Sequence, residues 1–146
     1  MTTSLSLVPV PMFNDNYLWL FIAANGDTIA VDVGDYDVLA HYLQAHDLTL
    51  TTVLVTHHHR DHIAGLPDLK THYPDVPIYG PASIAGVTHV LDGGNFINIP
   101  HFGRFLVLDI SGHTKIHLAF YHFADKVLFC SDCLFSAGCG RIFDGD

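Results

Sequence analysis

"VLVTHHHRDHIAGL", residues 53–66, sets four histidines and one aspartate within positions 57–62, directly behind an apolar, β-branched run. That run, "TTVLVT" (51–56), reads as a short buried strand, so the histidines fall on the loop leaving its end. Imidazole and carboxylate suit zinc, iron and manganese. In extended chain, residues i and i+2 point the same way, so His57 and His59 can meet at one ion. Asp61 and His62, past a bend, then turn toward a neighbouring point, with His58 and Arg60 as spacers. The pattern suits two adjacent ions. A purification tag would be terminal and carry no interposed aspartate, whereas this cluster is internal.

Outward from the cluster the chain alternates element types. "YLWLFIA" (17–23) and "TIAVD" (28–32) read as strands joined by an Asn25-Gly26 hairpin turn. Val38, Leu39, Tyr42 and Leu43 have helical spacing, with Asp35 or Asp37 as N-cap. A second helix is expected through "GLPDLKTHY" (65–73), then strands at "VPIYG" (76–80), "RFLVLDI" (104–110), "HLAFYHF" (117–123) and "KVLFC" (126–130). Strands first, then helices between further strands, imply stacked α and β layers.

The 146 residues fit one domain. They are 49% hydrophobic and only 14% charged, against roughly 25% in an average soluble chain. A net charge of −9 argues against nucleic acid and against an anionic membrane as partners. Three cysteines, an odd number, fit a reducing compartment better than a disulfide framework. The N-terminus lacks a basic n-region and is broken by prolines, and "YLWLFIAA" is too short to span a bilayer. A cytoplasmic location is expected.

Two further strand-end loops carry ligand types. "SGHT" (111–114) places His113 behind one strand, and "CSDCLF" (130–135) places Asp132 behind another. Cys130 and Cys133 enclose Asp132 without a helix start and read as unpaired thiols. His41, His46, His72, His89, His101 and His122 lack ligand spacing and read as ordinary surface or core residues.

"THHHRDH", "SGHT" and "SDCLFSAGCGRIFDGD", with "FNDNYLWLF" and "AVDVGD" at the start, resemble the metallo-β-lactamase superfamily and, within it, glyoxalase II (hydroxyacylglutathione hydrolase). The resemblance spans essentially the whole chain, residues 1–146, as one domain. It implies an α/β fold of the αββα sandwich type. It implies that His57, His59 and His113 hold one metal and that Asp61 and His62 hold a second, with Asp132 bridging. His117 matches a further family histidine in "GHT-x-x-H" but also reads simply as a strand residue. Arg141, in the "GCGR" segment, matches a basic substrate-binding position.

The implied reaction is hydrolysis of S-D-lactoylglutathione to D-lactate and glutathione in methylglyoxal detoxification, with two zinc ions, iron and manganese also being suited. Such ions lower the pKa of a shared water and stabilise the developing oxyanion; Asp61 and Asp132 are the catalytic carboxylates. The family pattern continues beyond the "FDG" segment with more of the sandwich, another metal-binding histidine and a helical region that grips glutathione. Residues 1–146 are expected to be the N-terminal catalytic portion, with the second metal short of one histidine and apolar surface left for self-association. An inactive metal-binding remnant and a mononuclear-iron persulfide dioxygenase are the alternatives. Ile116 and Cys133 stand where the family usually has glycine and threonine.

Overall fold

The computed structural model describes residues 5–13, 16–110, 117–129 and 140–141. Strands β1 (Leu5–Met12), β2 (Asn16–Ala23) and β3 (Asp27–Val31) form an antiparallel meander. Asn25-Gly26 makes the β2–β3 turn: Gly26 sits at φ +94° and its N–H donates to Ala23 O at 2.9 Å. β1 carries Pro9 and Pro11, which cannot donate to a ladder; it survives as an edge strand that, among the described residues, pairs with β2 alone.

From β3 the chain runs through α1 (Tyr36–Ala45) into β4 (Thr49–Leu54), which lies parallel to β3. Two short helices, α2 (Arg60–Ile63) and α3 (Leu66–His72), lead to β5 (Ile78–Gly80), parallel to β4, and then β6 (His89–Val90). Parallel neighbours need such crossovers. Asp35 caps α1 as expected, its carboxylate accepting from Asp37 N and Val38 N. The six strands lie in sequence order.

The second sheet is antiparallel, in the order β11-β10-β9-β8-β7. Its strands are β7 (Phe96–Ile99), β8 (Gly103–Asp109), β9 (Leu118–His122), β10 (Val127–Phe129) and β11 (Gly140–Arg141). Phe21, Ile29, Val31 and Leu54 of the first sheet meet Phe105, Val107, Phe120 and Phe129 of the second in one core. The first sheet's other face packs Leu20, Ala30, Val53 and Ile78 against Leu39, Leu43, Leu66 and Leu69 of the helices. A sheet covered on both sides explains why β2 and β3 read as near-continuous apolar runs rather than alternating ones.

Three layers of an αββα sandwich are therefore present: helices, sheet, sheet. The outer face of the second sheet carries no helix among the described residues. Its register lines up Phe96, Leu106, Tyr121 and Leu128 across four strands, with the Arg104 guanidinium 4.0 Å from the Phe96 ring centre. No helix among the described residues is long and apolar enough to cross a membrane.

Candidate metal centre

β3 and β4 both end at one edge of the first sheet. The second sheet reaches the same edge where Leu118 N, opening β9, donates to Thr56 O at 2.9 Å. The segment after β4 runs extended to His59, which stands at φ −64°, ψ 142° as N-cap of α2. The expected bend therefore falls between His59 and Asp61. It brings the His57 ring centre to 4.7 Å from that of His59 and 4.4 Å from that of His62. His57 and His62 are buried, and the Asp61 side chain is 50% exposed with Oδ2 3.4 Å from His62 Nε2. His58 points to solvent.

Asp32, at the end of β3, organises this cluster from beneath. It is buried at φ +60°. Oδ1 accepts from Thr56 N at 2.8 Å; Oδ2 lies 2.6 Å from Thr56 Oγ1 and 3.1 Å from His62 Nδ1. Burial pushes its carboxyl up, but the hydrogen bond and charge of His62 and the two bonds from Thr56 outweigh this and hold it below its ordinary value. An ionised carboxylate only accepts, so Thr56 spends its one hydroxyl proton on Asp32, and His62 donates from Nδ1. His57 Nδ1, 2.8 Å from Thr56 Oγ1, must then donate to that oxygen. In their neutral form both rings are therefore held in the Nδ1–H tautomer, and Nε2 becomes the atom each offers as a ligand.

By distance alone, Asp32, His57 and His62 bring one ligand atom each within 4.8 Å of one another. The hydrogen bonds make Asp32 the orienting group instead, since both its oxygens are engaged with Thr56 and His62. The donor set of imidazoles and a carboxylate on one rigid loop fits a divalent cation.

A family model described as the metallo-beta-lactamase superfamily matches residues 15–145. The chain belongs to the metallo-β-lactamase superfamily. A curated hydroxyacylglutathione hydrolase from Photobacterium profundum is 44% identical over 144 residues, covering 97% of this chain and 56% of its own length. The chain thus spans little more than half of that relative. Among solved structures, the BLEG-1 B3 metallo-beta-lactamase superposes with a TM-score of 0.80 at 22% identity, over 93% of this chain and 76% of that one. TTHA1623, solved in a di-iron-bound form, gives 0.71 at 24% identity, over 94% and 78%. Both share the fold of this chain, and membership of the superfamily implies divalent metal binding.

Of the site residues expected from sequence, the structure brings together His57, His59, Asp61 and His62. His113 and Asp132 lie outside the described residues, as do Ile116 and Cys133. Arg141 pairs with Val127 in β11, level with His122. That is four residues along β9 from Leu118, about 13 Å by strand rise.

Sequence reasoning passed over one member of the cluster, Asp32, and left His117 open between a family histidine and a strand residue. Asp32 counted only as part of an opening strand in "AVDVGD"; an acid ending an apolar strand is the signal that could have found it. His117 is fully buried, its ring stacked on His57 at 4.3 Å and 17°.

Proposed function

We propose that this chain is the catalytic metal-binding portion of a cytoplasmic hydroxyacylglutathione hydrolase, cleaving S-D-lactoylglutathione to D-lactate and glutathione. The assembly of His57, His59, Asp61 and His62 on one strand-end loop, over a carboxylate that sets the tautomer of two of them, carries the reading. Relatives at 42–46% identity bearing that name support the substrate.

In this proposal His57, His59 and His113 would hold one ion and Asp61 and His62 the other, with Asp132 a ligand shared by the site. Zinc suits the set, and iron or manganese would be accepted. When bound, the metals supply Lewis acidity toward the thioester carbonyl and toward water. The protein's own part is orientation. Asp32 and Thr56 hold the two buried rings, and burial of His57 and His62 keeps solvent from the back of the site. Asp61, half exposed, accepts a hydrogen bond from the attacking water and turns its lone pair toward the carbonyl. The leaving thiolate needs little acid assistance. Arg141 supplies the cation that meets a glutathione carboxylate.

The test is lactoylglutathione hydrolysis by chain 1–146, with metal content measured on the same sample. Two metals per chain with turnover are expected; two metals without turnover would overturn the activity proposed for this chain. One metal would instead fit a mononuclear enzyme.

The apolar row on the second sheet supports self-association with another copy. Sedimentation is expected to show species above the monomer mass, and Leu106→Lys to reduce them. A well-folded monomer at all concentrations would count against this.

A further inference from the structure

The hairpin between β1 and β2 closes onto the loop that carries Asp61. Asn16 opens β2, and 45 residues separate it from Asp61, yet its side-chain Nδ2 donates to Asp61 Oδ2 at 3.0 Å and to Asp61 O at 3.3 Å. The other end of the same amide is also committed, Oδ1 accepting from Tyr17 N at 2.8 Å. The amide is thus fixed in orientation by its own backbone before it meets Asp61, and its two donor hydrogens point one way. The Asp61 backbone also rests on Gly34, where a Cβ would lie 2.0 Å from Asp61 O and 3.1 Å from Phe13 Cε2.

An aspartate whose side chain is half exposed would ordinarily sample several rotamers, and a ligand must be held to within about 0.5 Å to be useful. The oxygen that Asn16 grips is the one 3.4 Å from His62 Nε2. A carboxylate has about four lone-pair sites on two oxygens, so it can accept from Asn16 and still face a cation. We propose that Asn16 is a positioning residue for the metal centre: its amide holds the Asp61 carboxylate beside His62 and so raises affinity for the ion those two share. This rests on the proposal above that Asp61 is a metal ligand.

Cobalt(II) titration of the chain, followed by visible absorption, tests it in a double-mutant cycle. Asn16→Ser keeps a hydroxyl for Tyr17 N but is too short to reach Asp61, and Asn16→Ala serves as a second variant. Either is expected to weaken cobalt binding about 10- to 100-fold in the otherwise unaltered chain. In an Asp61→Ala background the same change should cost less than about twofold, because Asn16, though still able to bond the residue 61 backbone oxygen, then has no carboxylate to position. An equal loss in both backgrounds, or no loss in either, overturns the proposal. Thermal midpoints of the metal-free variants accompany the titration; if neither Asn16 variant folds, the role is structural and the proposal fails. Should Asp61→Ala itself leave cobalt binding unchanged, the ligand reading of Asp61 falls and takes this one with it. If Asp61→Ala weakens binding and Asn16→Ser does not, only the role of Asn16 is lost.

Discussion

Asp32→Asn is expected to lower metal affinity about 100-fold or more while leaving the chain folded. The substitution preserves shape, and asparagine tolerates the left-handed backbone at φ +60° as well as aspartate does. Its effect is on hydrogen-bond polarity. The side-chain oxygen must stay where Oδ1 now accepts from Thr56 N, because an amide nitrogen there would set donor against donor. The NH2 group then takes the place of Oδ2 and donates to both Thr56 Oγ1 and His62 Nδ1. Thr56, no longer giving its proton to a carboxylate, turns it toward His57 Nδ1. Both rings are driven to carry hydrogen on Nε2, the atom each would offer to a metal, so one uncharged substitution disables two ligands. Losing charge-assisted bonds costs about 2 kcal/mol, within the stability of an ordinary domain. Zinc competition against a chromophoric chelator reads the first effect and urea denaturation the second. Wild-type affinity in a folded Asp32→Asn chain would refute the tautomer relay.

The same relay shows where sequence reading stops. Strands such as Tyr17–Ala23 and Phe105–Leu108 announce themselves by uninterrupted apolar runs; the first is covered on both faces, whereas the second leaves Leu106 and Leu108 only partly buried on its outer face. The His57–His62 stretch announces itself because its ligand candidates are adjacent in the chain. β1 was hidden because Pro9 and Pro11 argue against a strand, and only its position at a sheet edge makes them tolerable. Asp32 was hidden for a different reason. Its partners Thr56 and His62 stand 24 and 30 residues away, joined to it only by the parallel pairing of β3 with β4. Asn16 likewise meets Asp61 across 45 residues, a contact that no local spacing reveals. A ligand is identified by its own chemistry, whereas a group that orients a ligand is identified only by contact.

Gly34→Ala should be the most damaging single methyl group near the site. Gly34 follows β3 and its backbone lies against the Asp61 peptide; an added Cβ would stand 2.0 Å from Asp61 O and 2.7 Å from Asp61 C. Both are backbone atoms, so no rotamer change relieves the clash, and one of the two loops must move. Gly65 ties the same loops together a second time, its N–H donating to Val33 O at 2.9 Å. Separating them costs about 3 kcal/mol, the upper end for overpacking. It also carries Asp61 away from His62 and from Asn16, so metal affinity should fall at least about tenfold as well. Gly94→Ala is the matched control. Gly94 sits at φ +93° with open space around it, and alanine there meets backbone strain of about 1–2 kcal/mol without touching any site residue. Denaturation should therefore show both variants weakened, but chelator competition should separate them, with Gly94→Ala retaining wild-type metal affinity and Gly34→Ala losing it. Equal metal affinity in the two would mean that the close packing of the β3 loop on Asp61 does not shape the site.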